Sequence, residues 1–325
     1  MAVSDQIPTN SGFAAKTDGA DVIADIDLTG KTAIVTGGYS GIGLETVRAL
    51  AAKGVAVVVP VRSPAKATEN LAGVAGDVKT APLDLADLAS VRSFSELMLG
   101  DLDRLDLLIN NAGIMANPES RVGPGWESQF GINHMGHFAL TKALLPLIER
   151  TAGARVIALS STAHKMADIR WDDVQFESGE YDKWQAYGQA KTANALFANA
   201  LSRRLADKDA LAFSVHPGGI FTPLQRHLPQ EEMIAFGWLD ENGEPTEMAK
   251  AGFKTPEQGT STTLWAATSA KLEGKPGVYC EDCDIATPTD PDSPMARYVG
   301  VNEHACSDES AERLWSISEA LLADA

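Results

Sequence analysis

The sequence predicts an α/β protein: a doubly wound parallel sheet with helices on both faces, folded as one domain. Two observations carry this. Short apolar runs rich in β-branched residues alternate with helical stretches along most of the 325 residues. Strands that are apolar throughout, rather than at every second position, are buried on both faces. The residues of chemical interest also fall where those strands stop, at 36–43, 84–85, 110–113, 160–161 and 217–222, and sheets of this type place their ligands beyond the strand C-termini. Length alone would allow two domains. The unbroken alternation argues instead for a single unit over 27–325, preceded by a polar N-terminal extension over 1–26 that is rich in small residues.

The elements follow in order. Residues 32–35 (TAIV) read as the first strand, running into the turn TGGYSGIG at 36–43. Leu44, Val47, Leu50 and Ala51 then recur at helical spacing, and Lys53 and Gly54 close that helix as a basic last turn and a C′ glycine should. A strand, a glycine turn and a helix N-terminus in that order suit phosphate, because the backbone can approach closely and free N–H groups point at the anion. Further strands are expected at 55–61, 78–81, 105–109, 155–160, 211–215 and 277–280. Helices are expected at 64–71, 88–98, 126–149, 187–205, 256–270 and 309–322. Residues 223–254 show no strong sheet pattern and carry Met233, Phe236, Trp238 and Met248 among acidic residues.

Composition narrows the function. With 44 acidic against 27 basic side chains the net charge is −17, which argues against nucleic acid or an anionic membrane as partner. No apolar run reaches membrane-spanning length, and residues 1–20 lack the basic-then-apolar pattern of a signal peptide. Three cysteines without a disulfide framework suit a reducing cytoplasm, the expected location. Cys280 and Cys283 have a metal-ligand spacing, and His304 and Cys306 follow. The second half does not match a usual zinc pattern, so no metal is expected.

Tyr187 and Lys191 sit four residues apart, on one face of a helix. Such a pair is often a surface accident, but a phenol beside an ammonium should have its pKa lowered toward the working range of a proton shuttle. Ser160 and Ser161 end the fifth strand and offer a hydroxyl for a substrate carbonyl. Asn133 lies inside the 126–149 helix, where a better helix former would fit unless it has a task; the plainer alternative is a solvent-facing asparagine.

Taken together, TGGYSGIG (36–43), NNAG (110–113), Asn133, the second serine of LSS (161), YGQAK (187–191) and HPGGIFT (216–222) resemble the short-chain dehydrogenase/reductase family, over about 28–222. The resemblance implies a Rossmann-like sheet and an NAD(P)-dependent oxidoreductase working without metal on a small-molecule carbonyl or alcohol. It implies Tyr187 as acid/base, Ser161 polarising the substrate oxygen with Ser160 as runner-up, Lys191 on the coenzyme ribose, and Asn133 holding a relay water. It also implies a coenzyme site built from Gly37, Tyr39, Ser40, Gly41, Ile42, Gly43, Arg62, Asp84, Leu85, Asn111, Ala112, Gly113, Tyr187, Lys191, Pro217, Gly218, Ile220 and Thr222. NHMGHF (133–138), STAH (161–164) and the long segment between Ser161 and Tyr187 look most like the retinol-dehydrogenase-like branch, which includes the WW-domain oxidoreductase relatives. In this family the place of 221–254 holds a substrate lid, here with residues that suit a large apolar pocket, and the helices at 126–149 and around Tyr187 often pair in a homodimer. The rivals are reduction of a C=C bond on the same scaffold and a coenzyme-sensing protein without catalysis, although the four catalytic positions are all filled.

Coenzyme choice turns on the second strand. An acid about 20 positions past the glycine turn holds a ribose 2′-hydroxyl, whereas an arginine accommodates a 2′-phosphate. Residues 57–63 contain no acid, and Arg62 lies at the strand end with Ser63 beside it. NADP(H) is therefore expected. An aspartate at Val61 would be expected to reverse the preference.

Overall fold

The computed structural model describes residues 3–325; Met1 and Ala2 of the N-terminal extension lie outside the described residues. The strands are β1 (Thr32–Val35), β2 (Ala56–Val61), β3 (Val78–Pro82), β4 (Leu107–Asn110), β5 (Arg121–Val122), β6 (Trp126–Glu127), β7 (Ala154–Leu159), β8 (Ala210–His216), β9 (Tyr279–Glu281) and β10 (Asp284–Ile285). Among the described residues the central sheet has eight strands in the order β10-β9-β8-β7-β4-β1-β2-β3. All its pairings are parallel except β10 with β9. This is a Rossmann-like sheet, and the crossover from β3 back past β1 to β4 opens the crevice in which doubly wound sheets bind ligands.

Alternation within each strand divides the core in two. Ile34, Val58, Leu108 and Val156 face one layer, whose helices are Leu88–Asp101, Gly136–Arg150, Lys183–Arg204 and Asp308–Ala323. Ala33, Val35, Val57, Val59 and Ile109 face the other, covered by Gly41–Ala52, Pro64–Leu71 and Ser261–Thr268. The C-terminal helix covers the outer side of Lys183–Arg204: Trp315 stacks on Phe197 and meets Phe138 edge-on. The N-terminal residues pack as well. Asp284 accepts bonds from the Thr9 and Ser11 amides, and Val22 and Ile23 are buried beside Leu264.

The 126–149 helix is corrected at its start. Trp126 and Glu127 pair with Arg121–Val122 in a small hairpin, and Ser128–Phe130 begins the helix under a Glu127 cap. Gly131–Met135 then forms a wide π turn, with the Gly136 amide bonded to the Gly131 carbonyl, before Gly136–Arg150 continues as α-helix. The 256–270 helix is two short segments, Pro256–Gly259 and Ser261–Thr268.

The CxxC segment is a hairpin. Glu281 faces Asp284 in the β9–β10 register, so Asp282 and Cys283 form a two-residue turn, with φ of 48° and 61°. Positive φ at both central positions is the geometry that matches strand twist. Cys280, Cys283 and Cys306 are free buried thiols, and burial pushes Cys306 up to about 12.

Candidate active site

At the C-terminal ends of β1, β4, β7 and β8 lies a cavity of about 450 Å³. Gly37 and Gly41 adopt φ of 66° and 53°, which a side chain would strain. At Gly43 a Cβ would lie 2.4 Å from the Gly37 carbonyl oxygen, so only glycine lets the helix start this close to the turn. Ser40 occupies the N-cap of Gly41–Ala52 without a side-chain cap bond; its hydroxyl and the first helix amides are available to a phosphate. Thr36 ties this turn to NNAG: its hydroxyl accepts the Asn111 and Ala112 amides, each at 2.9 Å, while the Asn111 side chain donates to the Thr36 carbonyl at 2.7 Å. A glycine turn with free donors, backed by a second braced loop, fits a dinucleotide.

The predicted coenzyme residues Gly37, Tyr39, Ser40, Gly41, Ile42, Arg62, Asp84, Leu85, Asn111, Ala112, Gly113, Tyr187, Lys191, Pro217, Gly218, Ile220 and Thr222 all line this cavity, together with Ser161. Gly43 and Asn133 stand behind it. Lys66 also lines the wall beside Arg62 and Ser63. Its signal was present in the sequence, one helical turn past the strand end, but a lysine on a solvated helix carries no pattern of its own. Ser63 caps Pro64–Leu71 without using its side chain, which leaves that hydroxyl free.

Val61 is a correction. It is 2% exposed and packs in the core, while Pro60 and Arg62 on either side line the cavity. An aspartate at Val61 would bury a carboxylate in apolar surroundings; position 62 is the one that faces the cavity.

The helix Lys183–Arg204 delivers the Tyr–Lys pair. Asp182 caps it through the Trp184 and Gln185 amides, and Gly188 permits close docking, since a Cβ there would lie 2.8 Å from the Ala163 carbonyl. Tyr187 is 4% exposed, and its phenol faces Ser161. The Lys191 ammonium lies 5.5 Å from the Tyr187 ring centre and donates to the Leu159 carbonyl at 3.0 Å. Burial lowers Lys191 to about 8. The phenol behaves opposite to the sequence expectation: burial pushes it up, and the neighbouring Ser161 hydroxyl only partly opposes this. Desolvation penalises the phenolate, and Lys191, 5.5 Å from the ring centre, does not reverse this.

The two serines have different surroundings. The Ser160 hydroxyl donates to the Lys191 carbonyl at 2.8 Å, whereas Ser161 faces the phenol and accepts the Ala163 amide at 3.2 Å. Asn133 is fully buried, not solvent-facing. Its side chain brackets Ile114, accepting the amide at 2.8 Å and donating to the carbonyl at 2.9 Å, which sets the π turn against the NNAG loop.

Over the far side of the cavity, residues 223–253 form short helices Pro223–His227, Gln230–Ala235 and Glu247–Gly252. This segment's Phe236, Trp238 and Phe253 continue an aromatic chain from Trp184, the rings meeting successively at 5.1–5.7 Å between centres. Met115, Ala163, Leu224, Leu228, Met233 and Trp238 cluster around Tyr187. Beyond the polar crevice at the glycine turn, the wall around the phenol is therefore apolar.

Comparison with known proteins agrees with this architecture. The family model described as short chain dehydrogenase matches residues 31–233. The chain is a short-chain dehydrogenase/reductase. This dehydrogenase/reductase is 43% identical over 296 residues to a "Probable oxidoreductase" of Streptomyces lividans, covering 89% of this chain and 97% of the relative. It is 35% identical over 303 residues to retinol dehydrogenase 12 of Mus musculus, covering 92% and 88% respectively, which puts it in the retinol-dehydrogenase-like branch. A solved structure from Mycobacterium paratuberculosis superposes with a TM-score of 0.70 at 33% identity, covering 92% of this chain and 96% of that one. The Pseudomonas aeruginosa RhlG/NADP complex gives 0.60 at 26% identity, covering 78% and 95%. The short-chain dehydrogenase/reductase is thus an oxidoreductase of a family that uses nicotinamide coenzymes. No helix among its described residues is long and apolar enough to cross a membrane.

Proposed function

We propose that this oxidoreductase uses NADP(H) to interconvert a ketone or aldehyde and an alcohol on a large, mainly apolar substrate. The observation that carries the reading is convergence: the Tyr187 phenol, Ser161 hydroxyl and Lys191 ammonium open into the same cavity as the glycine turn. Bound coenzyme supplies or accepts the hydride. Tyr187 holds the proton that the substrate oxygen gains in reduction, and Ser161 donates a hydrogen bond that orients that oxygen. Lys191, charged below about pH 8, favours the phenolate left after proton transfer and binds the coenzyme ribose. Asn133 positions the NNAG loop and the relay water. The apolar wall excludes solvent from the reacting oxygen, which strengthens each of these interactions.

NADP(H) is supported by Arg62, Ser63 and Lys66 on the wall past β2 and by the absence of an acid between 57 and 63. A planar guanidinium meets a phosphate with two parallel bonds. The resemblance to a structure solved with NADP points the same way.

The test is nicotinamide absorbance with NADPH or NADH against a panel of apolar ketones, aldehydes and enones. We expect carbonyl reduction with NADPH preferred. Arg62→Ala should weaken NADP(H) by about one to two decades, since a hydrogen bond to a charged group contributes ~1.5–3 kcal/mol, and leave NAD(H) nearly unchanged. Equal or better kcat/KM with NADH would overturn the coenzyme assignment, and turnover of enones alone would replace carbonyl reduction by C=C reduction.

A further inference from the structure

His137 opens the helix Gly136–Arg150 and is 2% exposed. It does not reach the cavity, yet each of its ring nitrogens is bonded to a residue next to it. Nδ1 lies 2.9 Å from the Asn133 carbonyl oxygen, and Nε2 lies 2.9 Å from the Thr36 hydroxyl. The chemistry of the partners assigns the protons. A carbonyl oxygen can only accept, so Nδ1 carries the hydrogen and Nε2 of the neutral ring is a lone pair. Thr36 must then donate to Nε2. Its oxygen already accepts the Asn111 and Ala112 amides, and its other acceptor, the Ile109 carbonyl, is farther away at 3.3 Å. A directed chain results: NNAG amides to Thr36, Thr36 to His137, His137 to the Asn133 carbonyl. Burial keeps the ring neutral, with its pKa lowered to about 4, so the chain persists at neutral pH.

The chain connects two places with different tasks. One end is the coenzyme crevice, where Thr36 joins the glycine turn to NNAG. The other is the π turn, where Asn133 stands beside Gly113. A Cβ on Gly113 would lie 3.0 Å from the Asn133 side-chain oxygen and 3.9 Å from the Lys191 nitrogen. We propose that His137 is a positioning residue that locks the coenzyme turn to the Asn133 turn, so that the coenzyme is held in register with Lys191 and Tyr187. The inference rests on the proposed reading of the cavity as a nicotinamide coenzyme site.

Variants of His137 dissect the two bonds. Asparagine places an amide near the position of Nδ1 and glutamine places one near that of Nε2. His137→Asn should keep the bond to Asn133 and lose Thr36, raising the coenzyme Kd by roughly 2–10-fold with kcat less affected. His137→Gln should keep Thr36 and lose Asn133, lowering kcat at saturating coenzyme by a similar factor with Kd less affected. His137→Phe should do both. In a Thr36→Val background, where the hydroxyl is already gone, His137→Phe should add little to Kd, because residues in one network are non-additive. Coenzyme Kd is read by fluorescence titration without substrate. Hydrogen exchange of the segment 109–116, measured without coenzyme, should accelerate in His137→Phe and His137→Asn but not in His137→Gln. Identical behaviour of the asparagine and glutamine variants, an additive cycle, or unchanged exchange would overturn the proposal. A wild-type protein that binds neither nicotinamide coenzyme would instead overturn the reading of the cavity, with hydrogen exchange still deciding the role of His137.

Discussion

At the scale of single residues, the site depends on groups whose charge is penalised by burial. Removing a positioned acid/base costs ~10²–10⁴-fold in rate. Tyr187→Phe should therefore lose at least a hundredfold in kcat while coenzyme Kd, read by fluorescence, stays within about twofold; near-normal turnover would remove Tyr187 from the mechanism. Lys191 supplies a pH test. Its ammonium is present below about pH 8 and lost above it, because burial lowers its pKa from 10.5. The pH profile of kcat/KM for coenzyme reports groups of the free enzyme, so it should bend downward near pH 8. A profile flat from pH 7 to 9.5 would show either that Lys191 keeps its charge through that range or that its charge does not serve coenzyme binding. The identities of these residues were legible in the sequence because the Tyr–Lys spacing and the glycine pattern are local. Their environment was not: the upward shift of the phenol follows from the Met115, Ala163 and Leu228 side chains around it, which come from three separate segments. Lys66 escaped because a lysine on a solvated helix carries no pattern of its own, and His137 because its bond to Thr36 joins residues far apart in the chain.

At the scale of elements, strands and helices were legible wherever a period persisted over several residues, and lost where it did not. The π turn at Gly131–Met135 interrupts a helical pattern without changing its composition. The β9–β10 hairpin uses Asp282 and Cys283 at positive φ, where an Asn-Gly or Asp-Gly pair would have announced the turn; a CxxC spacing drew attention to metal chemistry instead. Among the described residues no group of three or more His, Cys, Asp or Glu side chains is placed to hold a metal ion. Residues 223–253 lack a period because they are three short helices, the last two separated by an irregular stretch with a Leu239–Pro245 bridge. One side-chain contact that holds them is Glu232 on Gln230–Ala235, which accepts from the Lys183 ammonium and the Trp184 indole at the start of the helix that carries Tyr187. This is a latch between the segment proposed as a substrate lid and the helix that carries Tyr187. Both partners are partly exposed, so the latch contributes about 1 kcal/mol. Glu232→Ala should raise the substrate KM roughly fivefold, with coenzyme Kd unchanged because the glycine turn is remote from the latch. An unaltered KM in steady-state kinetics would show that this segment does not close over substrate.

At the scale of the whole molecule, a net charge of −17 leaves anion binding to local donors, and the sheet topology concentrates those donors at one end of the strands. The same close packing has a cost that appears in acid. His134, His164 and His216 are held down to about 3 and His137 to about 4, from an ordinary 6.5, with burial the largest cause in each case. A histidine whose folded-state pKa is lowered binds a proton less well in the fold than in the unfolded chain. Its contribution to stability is complete above pH 6.5 and declines as pH falls below it. At pH 5 each of the four would be destabilising by about 2 kcal/mol. Glu281 works in the other direction: burial raises it from 4.5 to about 7, so the fold binds its proton more tightly and gains stability as pH falls from 7 toward 4.5. One carboxyl offsets only part of four imidazoles. The net loss at pH 5 is on the order of 5 kcal/mol, a large fraction of the 5–15 kcal/mol typical of a folded chain. The melting temperature should therefore fall by roughly 10 °C or more between pH 7 and pH 5, measured calorimetrically at fixed ionic strength. Replacing His134, whose Nε2 meets only the Ser318 hydroxyl among a ring of phenylalanines, should reduce that slope: His134→Gln removes one titrating group. A melting temperature unchanged from pH 7 to pH 5 would show that the buried imidazoles gain compensating partners when protonated.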